Sequence, residues 1–565
     1  MKYPNWKVPE RGPVIPRSLT DAGCTPLLAA MLHLRGLDDA DKARTFLRGG
    51  RELLTDPFAL IDMDAAVRRL KAAAAEKEHV AVYGDYDVDG ITSACLLADY
   101  LESLGLECEV YIPDRRAEGY GVNADAIDRL REKGVTLIVT VDCGVTCVEE
   151  AEYARTIGID MIVTDHHECR GDLPRAVAVV DPKRPGSGGA GEDLAGVGVA
   201  FKLVCAMDGN VAKMLDRYGD LVAVGTVADV MPLLGENRTV TRCGLRKISQ
   251  GDCRPGFTAL LRVSGAAGKP VTASTVSYSL APLINAAGRL DSAEKALELL
   301  RAADYDKAER IACELREMNL QRKNLGDDIM ASVETMIGAE RPHTPIVLAA
   351  EGWHPGVIGI VASKLTDEYG VPAVMISLSG ETGKGSCRSV GDFNLYEALS
   401  ACSDCLIGFG GHAMAVGITV RADRVDDLRR KLAEYYLTHP ADSAPALEAE
   451  ILVSGPELLE EKSVEDVEAL EPCGNGNPRP LLYLEDARIS SMTPIGRDRK
   501  HLRLSLDSFG RTWDSVFFQA TAGEIGAGVG DRVDAVFAPQ INTYRASRSV
   551  QLVITDLRPH RETTE

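Results

Sequence analysis

Aromatic residues are scarce in this chain, 5% in all with three Trp, so any surface that stacks against flat ligands has few side chains to draw on. No apolar run approaches the roughly 20 residues that cross a bilayer, which argues against membrane insertion. The opening MKYPNWKVPERGP has neither an apolar stretch nor a small-residue cleavage site, and cytoplasmic residence is the expectation. Positive charge is also in deficit: 63 Lys and Arg against 84 Asp and Glu leave a net charge of −21. Affinity for phosphate backbones comes mainly from Lys and Arg, so indiscriminate binding to polyanions is excluded and any nucleic-acid path must be locally basic.

The 14 Cys follow no framework spacing and read as reduced, mostly buried thiols. Cys143 with Cys147 and Cys402 with Cys405 each resemble half a zinc site, but neither has a second pair at ligand spacing, and zinc is not expected. No GxxxxGK[ST] loop occurs, and GVGVA at 196–200 follows a loop rather than a strand, so a dinucleotide fingerprint is unsupported.

What is present is ordinary globular composition, 45% apolar and 26% charged, over 565 residues. At roughly 150 residues per domain, that length implies about three or four domains. From 78 to 170, short β-branched runs alternate with helical patterns: HVAVYGDY, ITSACLLADYLESLG, LECEVYIP, VTLIVTVD and DMIVTDHH. This is the pattern of a parallel α/β sheet. A glycine-rich surface loop, KRPGSGGAGED at 183–193, precedes the helical AGVGVAFKLVCAMD. Apolar residues at three- and four-residue spacing predict a long interdomain helix over 292–337. A second α/β unit runs from 344 to 437, opening with TPIVLAA and carrying GKGSCRS and GFGGHAMAVG. After the linker HPADSAPA, period-two alternation predicts a small β-barrel.

In open parallel sheets, functional groups gather at the carboxyl ends of strands. Three apolar runs end there in metal-ligand residue types: Asp85, Asp87 and Asp89 in GDYDVDG, Asp142 in VTVDCG, and Asp165, His166 and His167 in VTDHHE. If the extended conformation persists past the first strand, alternation sends Asp87 and Asp89 to one side. An isolated acidic loop is commonly a solvated turn or helix cap, and a lone His is more often structural than a ligand. The coincidence of three strand ends carries the reading. Asp229 in GTVADVMPL is a fourth candidate that alone reads equally well as a cap. Clustered carboxylates are stable together when a cation offsets their repulsion, and a mixture with imidazole suits manganese, or magnesium on the oxygen-rich side. Two such ions about 3.5–4 Å apart clamp a phosphoryl group and acidify a water, which is phosphoester hydrolysis.

In order and separation, GDYDVDGITS, VTVDCGVT, VTDHHE and GTVADVMPL resemble the four motifs of the DHH phosphoesterase superfamily. IPDRRAEGYGVN, INAAGRL, GWHPGVIGIVASKL, KGSCRS and GFGGHAMAVG resemble segments of its RecJ branch, and together the likeness runs from about residue 50 to the barrel. The resemblance implies an α/β multidomain fold. An N-terminal helical or extended segment would cover 1–60, a parallel-sheet DHH domain 61–290, a connecting helix 291–340, a smaller α/β DHH-associated substrate-binding domain 341–440, and an OB-like nucleic-acid-binding barrel 447–560.

It further implies a 5′→3′ exonuclease that degrades single-stranded DNA to mononucleotides in recombination and repair, using two Mn2+ or Mg2+ ions. By the same resemblance Asp87, Asp89, Asp142, His166 and Asp229 are metal ligands, with Asp142 bridging. His167 faces the scissile phosphate and shares the catalytic role with Asp142, while Asp85 supports the first motif. Arg115, Ser386 and Arg388 hold the 5′ phosphate, and His412 lies near the substrate. A planar guanidinium with paired donors suits a terminal phosphate, and glycines let backbone N–H groups approach it. The implied partners are single-stranded DNA and a single-strand-binding protein or helicase.

The chain departs from the family at two positions. Tyr83 stands where many relatives have His, which weakens a pyrophosphatase reading. Leu283 stands where PRINAAGR would put Arg, so a cation that touches substrate is missing, with reduced strand affinity and retained chemistry as the expectation. Tyr83 and Tyr120 are candidate stacking platforms, with core placement as the other reading. The barrel's GRDRKHLR, with Arg497, Arg499, Lys500 and Arg503, and YRASR, with Arg545 and Arg548, suit strand-binding loops or a solvated hairpin. Two other functions stay open. A DHH hydrolase of short oligonucleotides, cyclic dinucleotides or pyrophosphate has no need of a tracking barrel, and a silent single-strand-binding scaffold has no physical reason to keep a repulsive carboxylate cluster.

Overall fold

The computed structural model describes residues 3, 5–114, 118, 119, 121–169, 171–441, 446–496, 499–543 and 548–561, with Arg51 described by its backbone alone. Contacts divide the chain into two units. The larger comprises residues 50–440 with 472–477, and the smaller comprises 1–49, 441–471 and 478–565.

The larger unit opens on five parallel strands: β1 (His79–Tyr83), β2 (Glu107–Tyr111), β3 (Leu137–Val141), β4 (Asp160–Thr164) and β5 (Ala178–Val180). The strands are β-branched and apolar because both faces are covered. Val80 and Val82 enter one core with Ile91 and Val197, whereas the alternating Ala81 and Tyr83 enter a second core with Ile127 and Leu130. The strand order is β2-β1-β3-β4-β5. The chain steps outward from β1 to β2 and then returns past β1 to β3, so the order reverses between β1 and β3. A crevice forms at the carboxyl ends of strands at such a switch point. Helices α1 (Val88–Ser103), α2 (Gly196–Asp208) and α3 (Val211–Ala228) pack beside this sheet.

Among the helices that follow are Gly235–Gln250, α4 (Ala281–Leu290) and α5 (Tyr305–Ile337). The continuous helix expected over 292–337 is broken. A seven-residue helix, Glu294–Leu300, ends before Asp304. Asp304 caps α5 by accepting from Lys307 N at 2.8 Å, since its short carboxylate satisfies an N–H that a helix start leaves open. The 33 residues of α5 span about 50 Å at 1.5 Å per residue.

A second α/β lobe contains β6 (Ile346–Glu351), helix α6 (Ile358–Tyr369), β7 (Ala373–Ser379), β8 (Thr382–Arg388), β9 (Leu406–His412) and β10 (Ala415–Arg421). Its sheet order is β9-β10-β8-β7-β6, with β6 and β7 parallel and the other neighbours antiparallel.

In the smaller unit, β11 (Leu482–Ile495), β12 (His501–Ser508), β13 (Arg511–Phe517), β14 (Arg532–Asn542) and β15 (Ser549–Pro559) close a five-stranded barrel. Closure leaves no exposed edge among these strands. The parallel-sheet lobe, the second α/β lobe and the barrel are those the sequence periodicities predict. The first residues of the chain also join the smaller unit: strand Asn5–Lys7 pairs in parallel with Ala446–Glu448, and Trp6 Nε1 donates to Asp556 at 3.0 Å. Among the described residues, no helix is long and apolar enough to cross a membrane.

Candidate active site

The acidic residues after β1 do not continue the strand. Asp87 is the N-cap of α1, its Oδ1 accepting from Gly90 N at 3.0 Å, and Asp89 sits in the first helical turn. The condition for strand alternation across this pair, a persisting extended conformation, is not met, because Asp87 satisfies a helix-start N–H and the chain turns helical at Val88. Asp89 is buried, and its carboxylate accepts from Gly196 N at 2.7 Å and Val197 N at 2.9 Å. GVGVA thus opens a helix whose N-terminal N–H groups meet a carboxylate. Glycine is required at 196, since a Cβ there would lie 2.5 Å from Asp142 Cβ.

Asp142 follows β3 in the left-handed region, at φ 59°, an uncommon conformation for a non-glycine residue that tends to cluster at functional sites. His166 Nε2 stands 3.1 Å from Asp142 Oδ1, 3.5 Å from Asp229 Oδ2 and 3.9 Å from Asp89 Oδ2. Three sets of donors each converge within 4.8 Å: Asp142, His166 and His167; Asp89, His166 and Asp229; and Asp85, Asp87 and Asp142. Asp142 belongs to two of them.

Burial, reinforced by Asp229 and Asp87, drives the Asp89 carboxyl well above its ordinary range, and burial with Asp89 and Asp87 does the same to Asp142. Burial and then Asp87 push Asp229 up to about 7. His166 is pushed down to about 3, by burial and then by the neighbouring His167, so its ring is neutral. Neither ring nitrogen of His166 meets a hydrogen-bonding partner in good geometry. Buried carboxylates that resist ionisation beside a neutral imidazole fit a hard divalent cation, which would relieve the repulsion and use the imidazole nitrogen.

Asp165 has a different part from its neighbours. Its oxygens accept from Val145 N at 2.8 Å, His166 N at 2.7 Å, His167 N at 3.2 Å and His167 Nδ1 at 2.8 Å. It belongs to none of the three donor sets among the described residues. Burial opposes a charge on His167, but the Asp165 hydrogen bond and charge outweigh it and carry that pKa up to about 9. The same bond holds Asp165 below its ordinary value against the effect of burial. This dyad role is not separable in sequence from the ligand-like His residues beside it.

Asp229 ends α3. Val230 N bonds to Val227 O and Met231 N to Thr226 O, both at 3.2 Å, with Val230 at φ 59°. This is a Schellman-type ending in which valine occupies the position that usually takes glycine. A left-handed residue with a Cβ costs about 1–2 kcal/mol.

The second lobe meets this centre through α4. At Gly288 a Cβ would lie 2.7 Å from Tyr86 O of the acidic loop, and Arg289 Nη1 donates to Gly356 O at 3.3 Å. Ser386 and Arg388 sit in β8, where Arg388 Nη1 donates to Ser386 Oγ at 3.3 Å. The first turn of α6 abuts both: a Cβ on Gly359 would lie 2.7 Å from Ser386 Oγ and 3.3 Å from Arg388 Nη2. Arg388 pairs in register with Ala415, and Ala415 with His412, so His412 shares that end of the sheet two strands away. A cavity of about 580 Å³ opens here between Gly356, Gly359, Lys384, Ser386, Phe409 and Gly410.

Several expectations fall elsewhere. Tyr83 is fully buried, stacked on Tyr111 at 5.1 Å, with its hydroxyl donating to Gly121 O at 3.0 Å. It is a core residue and no platform for bases. Leu283 is buried in α4 among apolar neighbours. Arg503 donates to Asp514 and Arg548 to Glu461, each at 2.8 Å, whereas Arg499 and Lys500 are exposed. Arg115, Tyr120, Arg497 and Arg545 lie outside the described residues.

Residues 79–226 match the DHH family, N-terminal domain, 343–438 the DHHA1 domain, and 453–556 the RecJ OB domain. The single-stranded-DNA-specific exonuclease RecJ of Bacillus subtilis is 39% identical over 549 residues, 96% of this chain and 69% of that protein. RecJ of Salmonella typhimurium is 33% identical over 573 residues, 95% of this chain and 96% of its own length. The crystal structure of RecJ in complex with Mn2+ from Thermus thermophilus is similar at a TM-score of 0.83 and 28% identity, covering 99% of this chain and 80% of that one. The corresponding Mg2+ complex gives 0.78 at 27% identity, covering 99% and 79%.

Proposed function

The chain belongs to the RecJ family of single-stranded-DNA-specific exonucleases, and we propose that it removes mononucleotides from single-stranded DNA, starting at the 5′ end. The observation that supports this best is the meeting of Asp89, Asp142, His166 and Asp229, from four separate segments, at the sheet's switch point.

In this proposal Asp87, Asp89, Asp142, His166 and Asp229 would hold two Mn2+ or Mg2+ ions, and Asp142, a member of two of the three donor sets, is the residue that could serve both. Bound there, the ions supply Lewis acidity at the scissile phosphoryl group and a nucleophile at neutral pH. The chain's own residues do the rest. Gly196 N and Val197 N fix the Asp89 carboxylate in one orientation. Asp165 takes the Nδ1 side of His167 and favours its protonated form, so Nε2 is the atom we assign to a phosphate oxygen. Outer partners of this kind fix tautomer and orientation.

The 5′ phosphate sits on Arg388, Ser386 and the first turn of α6, with Arg115 as the third side chain. A guanidinium beside a helix N-terminus is an unfavourable pairing of like charge that an anion between them reverses. His412 lines the same end of the sheet. The barrel, with Arg499 and Lys500 exposed, is the surface assigned to the trailing strand. A nuclease confined to single strands acts on DNA that has been unwound, which supports a helicase or a single-strand-binding protein as partner in recombination and repair.

The test uses end-labelled single strands with and without a 5′ phosphate, matched duplexes and dinucleotides, in Mn2+. Mononucleotides should appear from the 5′ end of phosphorylated single strands, and Asp142→Ala should abolish them. Equal or better turnover of dinucleotides would favour a hydrolase of short substrates, and strand binding without hydrolysis would favour a scaffold.

A further inference from the structure

Asp229 reaches the metal centre from the last turn of α3, and the residue that shapes this turn is strained. Val230 holds a left-handed conformation at φ 59° although it is β-branched, and the residue is 66% exposed, so close packing does not fix it. What meets the turn is a short stretch distant in sequence. Pro472–Asn477 belongs to the larger unit, although the residues flanking it on either side do not.

Asn475 Nδ2 donates to Val230 O at 2.9 Å, and Asn475 O accepts from Leu233 N at 2.8 Å. Arg238, buried on the helix Gly235–Gln250, donates from Nη1 to Pro472 O at 3.0 Å. The stretch is itself a tight turn, with Gly474 and Asn477 bonded to one another through both backbone pairs. The turn also packs against this segment: a Cβ on Gly474 would lie 2.8 Å from Leu233 Cδ1, and the Leu233 side chain would have to shift. A backbone bond and a side-chain bond from one residue thus bracket the segment directly after Asp229.

We propose that Asn475 is a positioning residue for the metal centre. By holding the carbonyl of Val230, it keeps the strained helix end in the one conformation that carries the Asp229 carboxylate to within 3.5 Å of His166 Nε2. The proposal rests on the reading of Asp229 as a metal ligand. The sequence GNGN, which by composition alone is an ordinary loop, then acts at a distance on metal affinity without touching the ions.

The experiment uses the full chain, stripped of metal, and measures Mn2+ binding by electron paramagnetic resonance together with the Mn2+ dependence of strand hydrolysis. Asn475→Ala should raise the half-saturating Mn2+ concentration about tenfold, and should change it more than it changes the rate at saturating Mn2+. Asn475→Asp, which keeps the volume but cannot donate, should do the same and stands in if the alanine variant does not fold. Val230→Gly removes the steric cost of the turn, so it should raise the Tm, and in that background Asn475→Ala should shift the Mn2+ dependence far less. A fall in Tm with unaltered Mn2+ dependence would mean a merely structural role and overturn the proposal. Asp229→Asn separates the two readings: if it loses Mn2+ while Asn475→Ala does not, the positioning role alone fails, and if it retains Mn2+ as the parent does, the metal-centre reading fails and takes the positioning role with it.

Discussion

His167 Nδ1 lies 2.8 Å from Asp165 Oδ1, and the carboxylate that holds it also gathers the backbone N–H groups of Val145, His166 and His167. Asp165 is thus anchored by backbone before it orients the imidazole. Asp165→Asn replaces an acceptor-only group by one that must present a donor to this cluster. The variant should lose about 10–100-fold in kcat, with Mn2+ affinity changed much less. Steady-state kinetics beside Mn2+ titration checks this, and a parallel loss of both would assign Asp165 to the ions.

Stability should depend on pH in a direction set by the crowded carboxyls. Asp229 is raised to about 7 in the folded chain, from an ordinary value of 3.8, and Asp89 and Asp142 are raised as well. Between about pH 4 and 7 the folded state therefore binds more protons than the unfolded state, and these groups reduce stability as pH rises through that window. Metal-stripped Asp229→Asn should have a higher Tm than the parent at pH 8 and a similar one at pH 5. Ligation needs the ionised carboxylates, so the Mn2+ required for folding stabilisation should fall from pH 6 to pH 8. Thermal melts across this range, with and without Mn2+, read both effects.

Arg388→Ala should discriminate between substrates. A lost hydrogen bond to a charged group costs about 1.5–3 kcal/mol, or roughly 10–100-fold. That loss should appear in KM for 5′-phosphorylated strands and be nearly absent for strands with a 5′ hydroxyl. Equal losses on both would remove Arg388 from the terminal-phosphate site.

Gly196→Ala adds one methyl group where the nearest atom is Asp142 Cβ, 2.5 Å away. Either α2 or Asp142 must move, at a cost of about 1–3 kcal/mol. Activity should fall by more than the stability loss explains, because the same residue's N–H also fixes Asp89. Kinetics on samples matched for folded fraction by near-ultraviolet circular dichroism checks it.

Much of the site can be read in the sequence because its residues sit at strand ends, and strand ends follow from local periodicity. VTVDCG and VTDHHE announce Asp142 and His166 this way. What cannot be read is pairing between distant segments: the β2-β1-β3 order that brings Asp142 beside Asp89, or the first strand's partnership with Ala446–Glu448. Local chemistry also competes with periodicity. Asp304 starts a helix where apolar spacing predicts one continuous helix, and Asp87 starts α1 ahead of the helical pattern read from Ile91, since capping is decided by one side chain and periodicity by many. Tyr83 has a polar tip suited to a binding surface, yet Gly121 O and Asn123 supply its hydroxyl's partners inside the core. Asp165 and Asn475 act through other residues, and neither has a composition or spacing that marks such a role.

Every step of the proposed chemistry requires divalent cations to hold together the carboxylates around His166. Anomalous diffraction at the manganese edge, from crystals of the full chain grown with Mn2+, tests this most directly. Two peaks on either side of Asp142, one of them beside His166 Nε2 and Asp229, are the predicted result. Strong Mn2+ peaks elsewhere with none among Asp89, Asp142, His166 and Asp229 would contradict it.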